Sequence, residues 1–205
     1  MRGIKMFTGI IEEMGTIKQI KTVSPQAIKL TVGAKKILTD VHLGDSISIN
    51  GICLTVTDFN AEQFQVDVMP ETIKSTSLSL LAEGSKVNLE RSMPANGRFG
   101  GHFVSGHVDG TGKITKKVKQ ENAIYYTIEL PENLAEYTLQ KGSIAVDGIS
   151  LTIFERSNHS FIISLIPHTV SETILGLKME GDIVNIECDM FAKYVHQMFT
   201  ERQSN

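Results

Sequence analysis

Asn50-Gly51-Ile52-Cys53-Leu54-Thr55-Val56 decides the fold, because it returns 97 residues later as Asp147-Gly148-Ile149-Ser150-Leu151-Thr152-Ile153. In each copy a pair that tolerates positive φ precedes a run of apolar and β-branched residues, the mark of a tight hairpin turn and its return strand. The incoming strands are Ser46-Ile47-Ser48-Ile49 and Ser143-Ile144-Ala145-Val146. The same shift carries Met69-Pro70-Glu71-Thr72 onto Ile166-Pro167-His168-Thr169 and Val87-Asn88-Leu89-Glu90 onto Val184-Asn185-Ile186-Glu187. It also carries Gly9 onto Gly106. Aligned without gaps, residues 44–93 and 141–190 agree at 18 of 50 positions. Unrelated sequences would agree at about 3. A period of this length is too long for a solenoid unit and suits a small domain.

The 205 residues therefore read as two tandem copies, a first domain over 6–97 and a second over 102–190, joined through the Gly-rich stretch 94–101. Phe64-Gln65-Val66-Asp67-Val68 alternates as a half-buried strand does. Phe161-Ile162-Ile163-Ser164-Leu165 does not alternate cleanly, which predicts burial on both faces. Short helical turns are expected at Glu71–Leu78 and Glu172–Leu177. An all-β copy of this size is most economically a small closed barrel, because closure removes exposed strand edges. Residues 191–205 have no counterpart in the first copy. There Phe191, Tyr194, Val195 and Met198 recur at helical spacing, and Asp189 stands where a cap belongs. This helix either packs on its own domain or pairs with copies from other subunits as a short bundle.

Composition excludes several classes. Hydrophobic residues make up 41% and charged residues 21%, a soluble globular mixture. Lys plus Arg is 20 against 23 for Asp plus Glu, a net −3 with no basic block, which argues against a nucleic-acid partner. Aromatics are only 6% and Trp is absent, leaving little for base stacking. No apolar run approaches the roughly 18 residues a membrane helix needs. The first residues carry no signal-peptide pattern, so a cytoplasmic location with no membrane partner is expected. Two cysteines, Cys53 and Cys188, with no CxxC give neither a disulfide framework nor a zinc site.

A lone cysteine is more often a small core hydrophobe than a nucleophile. Cys53, however, opens a strand after a tight turn, a position on a barrel rim, and its counterpart is Ser150. Cys188 has no such setting and reads as structural. In Gly101-His102-Phe103-Val104-Ser105-Gly106-His107 two histidines stand five apart with no third ligand at helical or hairpin spacing, so no metal is expected. The glycines match neither nucleotide-binding pattern. His107 aligns with Ile10, and its ordinary pKa near 6.5 makes it the acid/base candidate. His102 is read as fixing the linker. Glu71 is matched by His168, Asn50 by Asp147 and Gly44 by Lys141, whereas Thr55/Thr152 and Thr72/Thr169 are kept. Twin pockets with unlike reactive groups would suit two similar molecules in unlike roles. Two drifted barrels with one pocket or none is the competing reading.

These motifs, together with Met6-Phe7-Thr8-Gly9-Ile10-Ile11-Glu12, resemble riboflavin synthase of the alpha-chain type from Met6 to about Tyr194. Met1–Lys5 precede the family's usual start and are given no function. The resemblance implies two six-stranded Greek-key barrels that each bind lumazine, and a homotrimer whose C-terminal helices, 191–205, form a three-helix bundle. It implies a dismutation of two 6,7-dimethyl-8-ribityllumazine molecules without cofactor or metal. A four-carbon unit passes from one to the other, giving riboflavin and 5-amino-6-(D-ribitylamino)uracil. The site would lie between the first barrel of one subunit and the second barrel of a neighbour. A lumazine synthase complex is a further partner that the sequence leaves open.

By position, the family's contacts in the first pocket fall on Gly9, Ile10, Ile11, Ser46, Cys53, Leu54, Thr55, Asp67, Val68, Met69, Pro70, Glu71 and Thr72. Those in the second fall on Gly106, His107, Val108, Lys141, Ser150, Leu151, Thr152, Leu165, Ile166, Pro167, His168 and Thr169. His107 is then the acid/base and Cys53 the polariser or transient nucleophile. Ser150, Thr152 and Asp147 support the second pocket. Lumazine-binding fluorescent proteins share the fold, bind the ligand without turnover and tend to lose the reactive side chains from one pocket. Cys53, His107 and Ser150 all stand here, which favours the enzyme.

Overall fold

Alternating burial along short strands builds two barrels in the computed structural model, which describes residues 6–24 and 27–203. The first contains β1 (Glu13–Ser24), β2 (Ala27–Gly33), β3 (Ser46–Ile49), β4 (Ile52–Phe59), β5 (Gln63–Val68) and β6 (Lys86–Arg91), with helix α1 (Pro70–Ser75) between the last two. The second contains β7 (Gly110–Gln120), β8 (Ala123–Glu129), helix α2 (Glu132–Ala135), β9 (Ser143–Val146), β10 (Ile149–Arg156), β11 (Ser160–Leu165), helix α3 (Pro167–Glu172) and β12 (Ile183–Cys188). Helix α4 (Met190–Gln203) ends the described chain. Both barrels close along one path, β1-β2-β5-β4-β3-β6 and β7-β8-β11-β10-β9-β12. Met1–Lys5 lie outside the described residues.

Each barrel has its own core. Ile17, Val32, Ile47, Phe64 and Val66 fill the first, and Ile114, Tyr126, Ile144, Phe161 and Ile163 the second. The hydroxyl of buried Tyr126 donates to the Leu175 carbonyl at 2.8 Å, which satisfies its one polar atom. Two expectations need correction. Strand β11 does alternate: Phe161, Ile163 and Leu165 point into the core, and Ile162 and Ser164 are only half-buried, because a barrel wall has one dry face. The second helical turn starts not at Glu172 but at Pro167, as the first starts at Pro70. Proline's fixed φ suits the first helical position, and extended Met69 and Ile166 precede the two helices.

The barrels are tied by a reciprocal knot. Asn50 and Asp147 (φ 49° and 46°) lead the two predicted turns, and Gly51 and Gly148 follow at 82° and 80°. The turns touch: a Cβ on Gly51 would lie 2.8 Å from the Gly148 nitrogen, so only glycine permits the approach. The Asn88 side chain crosses from β6, donating to the Asp147 carbonyl at 2.9 Å and accepting from the Ile174 amide at 2.8 Å. Asn185 crosses back from β12, donating to the Asn50 carbonyl at 2.8 Å and accepting from the Ser77 amide at 2.7 Å. Within each barrel, Asn50 accepts from the Asn88 amide and Asp147 from the Asn185 amide, at 2.7 and 2.8 Å.

One difference breaks the symmetry. Asp147 is fully buried and carries a carboxyl where its twin carries an amide. Burial pushes its pKa up to about 6 against the opposing pull of Lys178, whose Nζ lies 3.8 Å away, beyond hydrogen-bond reach. Lys178 corresponds to Leu81 in the first copy.

Helix α4 attaches to the second barrel by polar contacts. Lys193 pairs with Asp109 at 2.9 Å and His196 with Glu136 at 3.1 Å, and the His196 ring meets Tyr137 edge-on at 4.9 Å. The expected cap is present, the Phe191 amide donating to Asp189 Oδ1 at 2.8 Å. Phe191, Tyr194, Val195, Met198 and Phe199 stay more than half exposed along one stripe. Among the described residues, no helix is long and apolar enough to cross a membrane.

The Asp147–Lys178 pair yields a stability prediction with a definite pH sign. The folded-state pKa of Asp147 lies above its ordinary 3.8, so ionisation costs stability as pH rises from about 4 through about 6. Lys178→Leu alone should lose about 3–5 kcal/mol at pH 8 by stranding a buried carboxylate, and the loss should shrink below pH 6. Copying the first barrel with Asp147→Asn and Lys178→Leu together should be neutral or up to about 4 kcal/mol stabilising. Urea unfolding of the three proteins at pH 5 and 8 measures both.

Candidate active site

In each barrel two neighbouring strands part and leave a gap. Strand β4 pairs with β5 only from Val56↔Val66 to Phe59↔Phe64, so Ile52–Thr55 and Asp67–Val68 splay from each other. Strand β10 pairs with β11 only from Ile153↔Ile163 to Arg156↔Phe161, so Ile149–Thr152 and Ser164–Leu165 splay likewise. Val56 turns its backbone toward the β3 side, donating to the Asp45 carbonyl and accepting from the Gly44 amide. By antiparallel alternation Thr55 turns its N–H and C=O into the gap. Thr152 does the same, since Ile153 exchanges bonds with Lys141 and Gly142 on its other side.

The far end of each gap is filled by an arm of the other copy. The Cys53 amide donates to the Gly106 carbonyl at 2.8 Å, and the Ser150 amide donates to the Gly9 carbonyl at 2.8 Å. Val108 packs on the first core and Ile11 on the second. Before they separate, the arms pair with each other at Phe7↔Val104. Their arrangement corrects the pocket assignment from sequence. Gly9, Ile10 and Ile11 belong with the second barrel, and Gly106, His107 and Val108 with the first, because the arms exchange before entering their own barrels.

The first site thus gathers Cys53, Leu54 and Thr55 on one edge, with Ser46 paired opposite Thr55. Asp67, Val68 and Met69 lie on the other edge, running into Pro70, Glu71 and Thr72 of α1. Gly106, exposed His107 and Val108 close its end. The second gathers Ser150, Leu151 and Thr152 against Leu165, Ile166, Pro167, His168 and Thr169, closed by Gly9, exposed Ile10 and Ile11. Lys141, at φ 66° where the first copy has Gly44, lays its ammonium over the Phe154 ring at 4.4 Å. Asp147 is not brought to the gap; it sits in the knot. Cys53 is half-buried against Phe7, Val104 and Ala145, so its rim faces the second barrel rather than open solvent. Cys188 is buried, and burial first, then Asp109, pushes its thiol up to about 12, in keeping with a structural role.

Sequence reading undervalued three side chains. His102 does more than hold the linker: its Nδ1 lies 2.7 Å from Ser150 Oγ, and burial lowers its pKa, with Asp189 opposing. Glu90 accepts from the Thr8 amide at 2.7 Å and the Gly9 amide at 3.0 Å. Glu187 accepts from the Ser105 amide at 2.6 Å and the Gly106 amide at 3.0 Å. Burial pushes Glu90 up to about 7 and raises Glu187, the amide bonds pulling the other way. Both glutamates are identities of the repeat, on the equivalent strands β6 and β12.

Beside the gaps lie twin cavities. One of about 180 Å³ is lined by Ile28, Val68, Ile73 and Leu78, and one of about 310 Å³ by Ile124, Leu165, Pro167 and Val170. Paired gaps in tandem barrels define a class of protein with one candidate ligand site per repeat. The family model for the lumazine binding domain matches twice, over residues 8–92 and 105–189. Riboflavin synthase of Bacillus subtilis is 59% identical over 200 residues, covering 98% of this chain and 93% of that protein. That of Actinobacillus pleuropneumoniae is 52% identical over 200 residues, with the same coverage. The crystal structure of LumP complexed with 6,7-dimethyl-8-(1'-D-ribityl) lumazine superposes with a TM-score of 0.80 at 27% identity, covering 89% of this chain and 98% of that one. The chain belongs to the riboflavin synthase family of tandem lumazine-binding domains.

His102 gives a direct check of the second site. In a ¹H–¹⁵N NMR titration its ring should stay neutral at pH 7 and titrate below the ordinary 6.5, as burial demands. A titration at or above 6.5 would contradict the buried geometry.

Proposed function

We propose that this chain converts two molecules of 6,7-dimethyl-8-ribityllumazine into riboflavin and 5-amino-6-(D-ribitylamino)uracil, the last step of riboflavin biosynthesis. The observation that carries this reading is the pair of equivalent gaps with unlike side chains, Cys53 and His107 at one, Ser150 and His102 at the other. The two products together hold the atoms of two substrates, so the transfer is balanced without an oxidant or other co-reactant.

The backbone groups of Thr55 and Thr152 suit the alternating C=O and N–H edge of the pyrimidinedione, as a strand edge suits a peptide. Thr, Ser and Glu side chains near each gap take the ribityl hydroxyls. One lumazine loses a proton from its 7-methyl group, and the resulting carbanion delocalises into its ring. Neutral His102, bonded to Ser150 Oγ, takes that proton at the second gap. The other lumazine is attacked at C7 beside Cys53 and His107.

Neither gap is a closed pocket. Cavities of about 180 and 310 Å³ fall at or below the roughly 300–1,000 Å³ usual for ligand sites. The exposed stripe on α4 supports a homotrimer in which three helices bundle and the first barrel of one subunit closes over the second barrel of the next. The protein acts in the cytoplasm, and a lumazine synthase shell is a further partner compatible with that assembly. Holding two reactants face to face is worth roughly 7–11 kcal/mol, more than the 10²–10⁴-fold typical of one acid or base.

The test mixes purified protein with the lumazine and follows absorbance. A yellow product accumulating over many turnovers supports an enzyme; a static stoichiometric shift would mean a binding protein instead. Cys53→Ser, His107→Ala and Ser150→Ala should each retain measurable turnover. The double change Val195→Asp with Met198→Asp should dissociate the trimer in sedimentation and lower turnover further than any of them. A point variant that stays trimeric yet is fully inactive would refute this ordering.

A further inference from the structure

The exchanged arms raise the question of what fixes them, since each reaches away from the barrel it leads into. Both are gripped at the same place. Glu90 lies on β6 of the first barrel and accepts from the amides of Thr8 and Gly9 and from the Thr8 hydroxyl, the last at 3.1 Å. Glu187 lies on β12 of the second barrel and accepts from the amides of Ser105 and Gly106 and from the Ser105 hydroxyl, the last at 2.7 Å. Gly9 and Gly106 are also the residues whose carbonyls receive the Ser150 and Cys53 amides. There is no slack: a Cβ on Gly106 would lie 2.5 Å from the Cys53 Cβ, and one on Gly9 2.6 Å from the Ser150 Cβ.

We infer that Glu90 and Glu187 are positioning residues acting crosswise: the carboxylate of each barrel sets the reactive residue of the other. Glu187 of the second barrel holds Gly106 against Cys53 at the first site. Glu90 of the first barrel holds Gly9 against Ser150, and through it the Ser150–His102 pair, at the second. Among the described residues, no ion pair reaches either carboxylate. Their polar partners are the amides and hydroxyls of the arms, so what they fix is the geometry of the arms. The inference deepens the proposed function, for it makes the two sites a coupled unit in which neither is set by its own barrel alone.

The test uses Glu187→Gln and Glu90→Gln in the full chain, each read at both sites without turnover. The first readout is the alkylation rate of Cys53 by iodoacetamide, separated from buried Cys188 by peptide mass spectrometry. The second is the NMR titration of His102. Glu187→Gln should change the Cys53 rate by about tenfold, as loss of a charged hydrogen bond can, and leave the His102 titration in place. Glu90→Gln should move the His102 titration and change the Cys53 rate by less than about twofold. Ser105→Ala and Thr8→Val, which each remove one donor, should give weaker versions of the same pattern and serve if a Gln variant does not fold. An uncrossed pattern, or equal effects of both variants at both sites, would overturn the inference. Should the crossed pattern hold while the wild-type protein forms no riboflavin, the positioning roles stand and the proposed reaction falls.

Discussion

The structure depends on two asparagine amides exchanged between barrels. Asn88 and Asn185 each leave their own strand, donate to the turn of the other barrel and accept from a backbone amide beside it. A primary amide suits this because it offers a donor and an acceptor on one short arm. Buried in a dry interface, each such bond is costly to leave unmade. The contact of Gly51 with Gly148 then follows, and with it the close approach that lets each arm reach across. Without this knot the gaps would still exist, but their ends would be open.

Much of this was legible in the sequence. A repeat of 97 residues, turn pairs that accept positive φ, and alternating strands lead to two barrels with little choice. The quoted motifs lead on to the family. The arm exchange was not legible, because repeat arithmetic places Gly9 and Gly106 at equivalent points and is silent about which barrel each point touches. Spacing alone places the starts of α1 and α3 too late, because proline's fixed φ makes Pro70 and Pro167 the first helical residues. Glu90 and Glu187 were visible as identities but were read as evidence of duplication, not as charges buried for a purpose. The missed role of His102 has the same root: its contact with Ser150 spans 48 positions, and no spacing rule sees it.

The two halves have diverged both beside the gaps and in the knot. Lys141 keeps a left-handed backbone conformation that its glycine twin adopts freely, and its ammonium rests over Phe154, where the first copy has Thr57. Asp147 carries a charge in a place where an amide suffices for the turn. Both cost stability, and the first barrel has neither a lysine nor a carboxylate at these two positions. Asn88/Asn185 and Glu90/Glu187, by contrast, are kept identical.

Arm exchange also fixes when the sites come into being during synthesis. The amino-terminal arm leaves the ribosome first, yet its resting place at Ser150 is encoded more than a hundred residues later. The first barrel can close early, but its site waits for Gly106, and Gly106 waits for a carboxylate near the carboxyl end. A nascent chain halted after Arg91 and before Glu187 therefore holds all strands of the first barrel and no finished site.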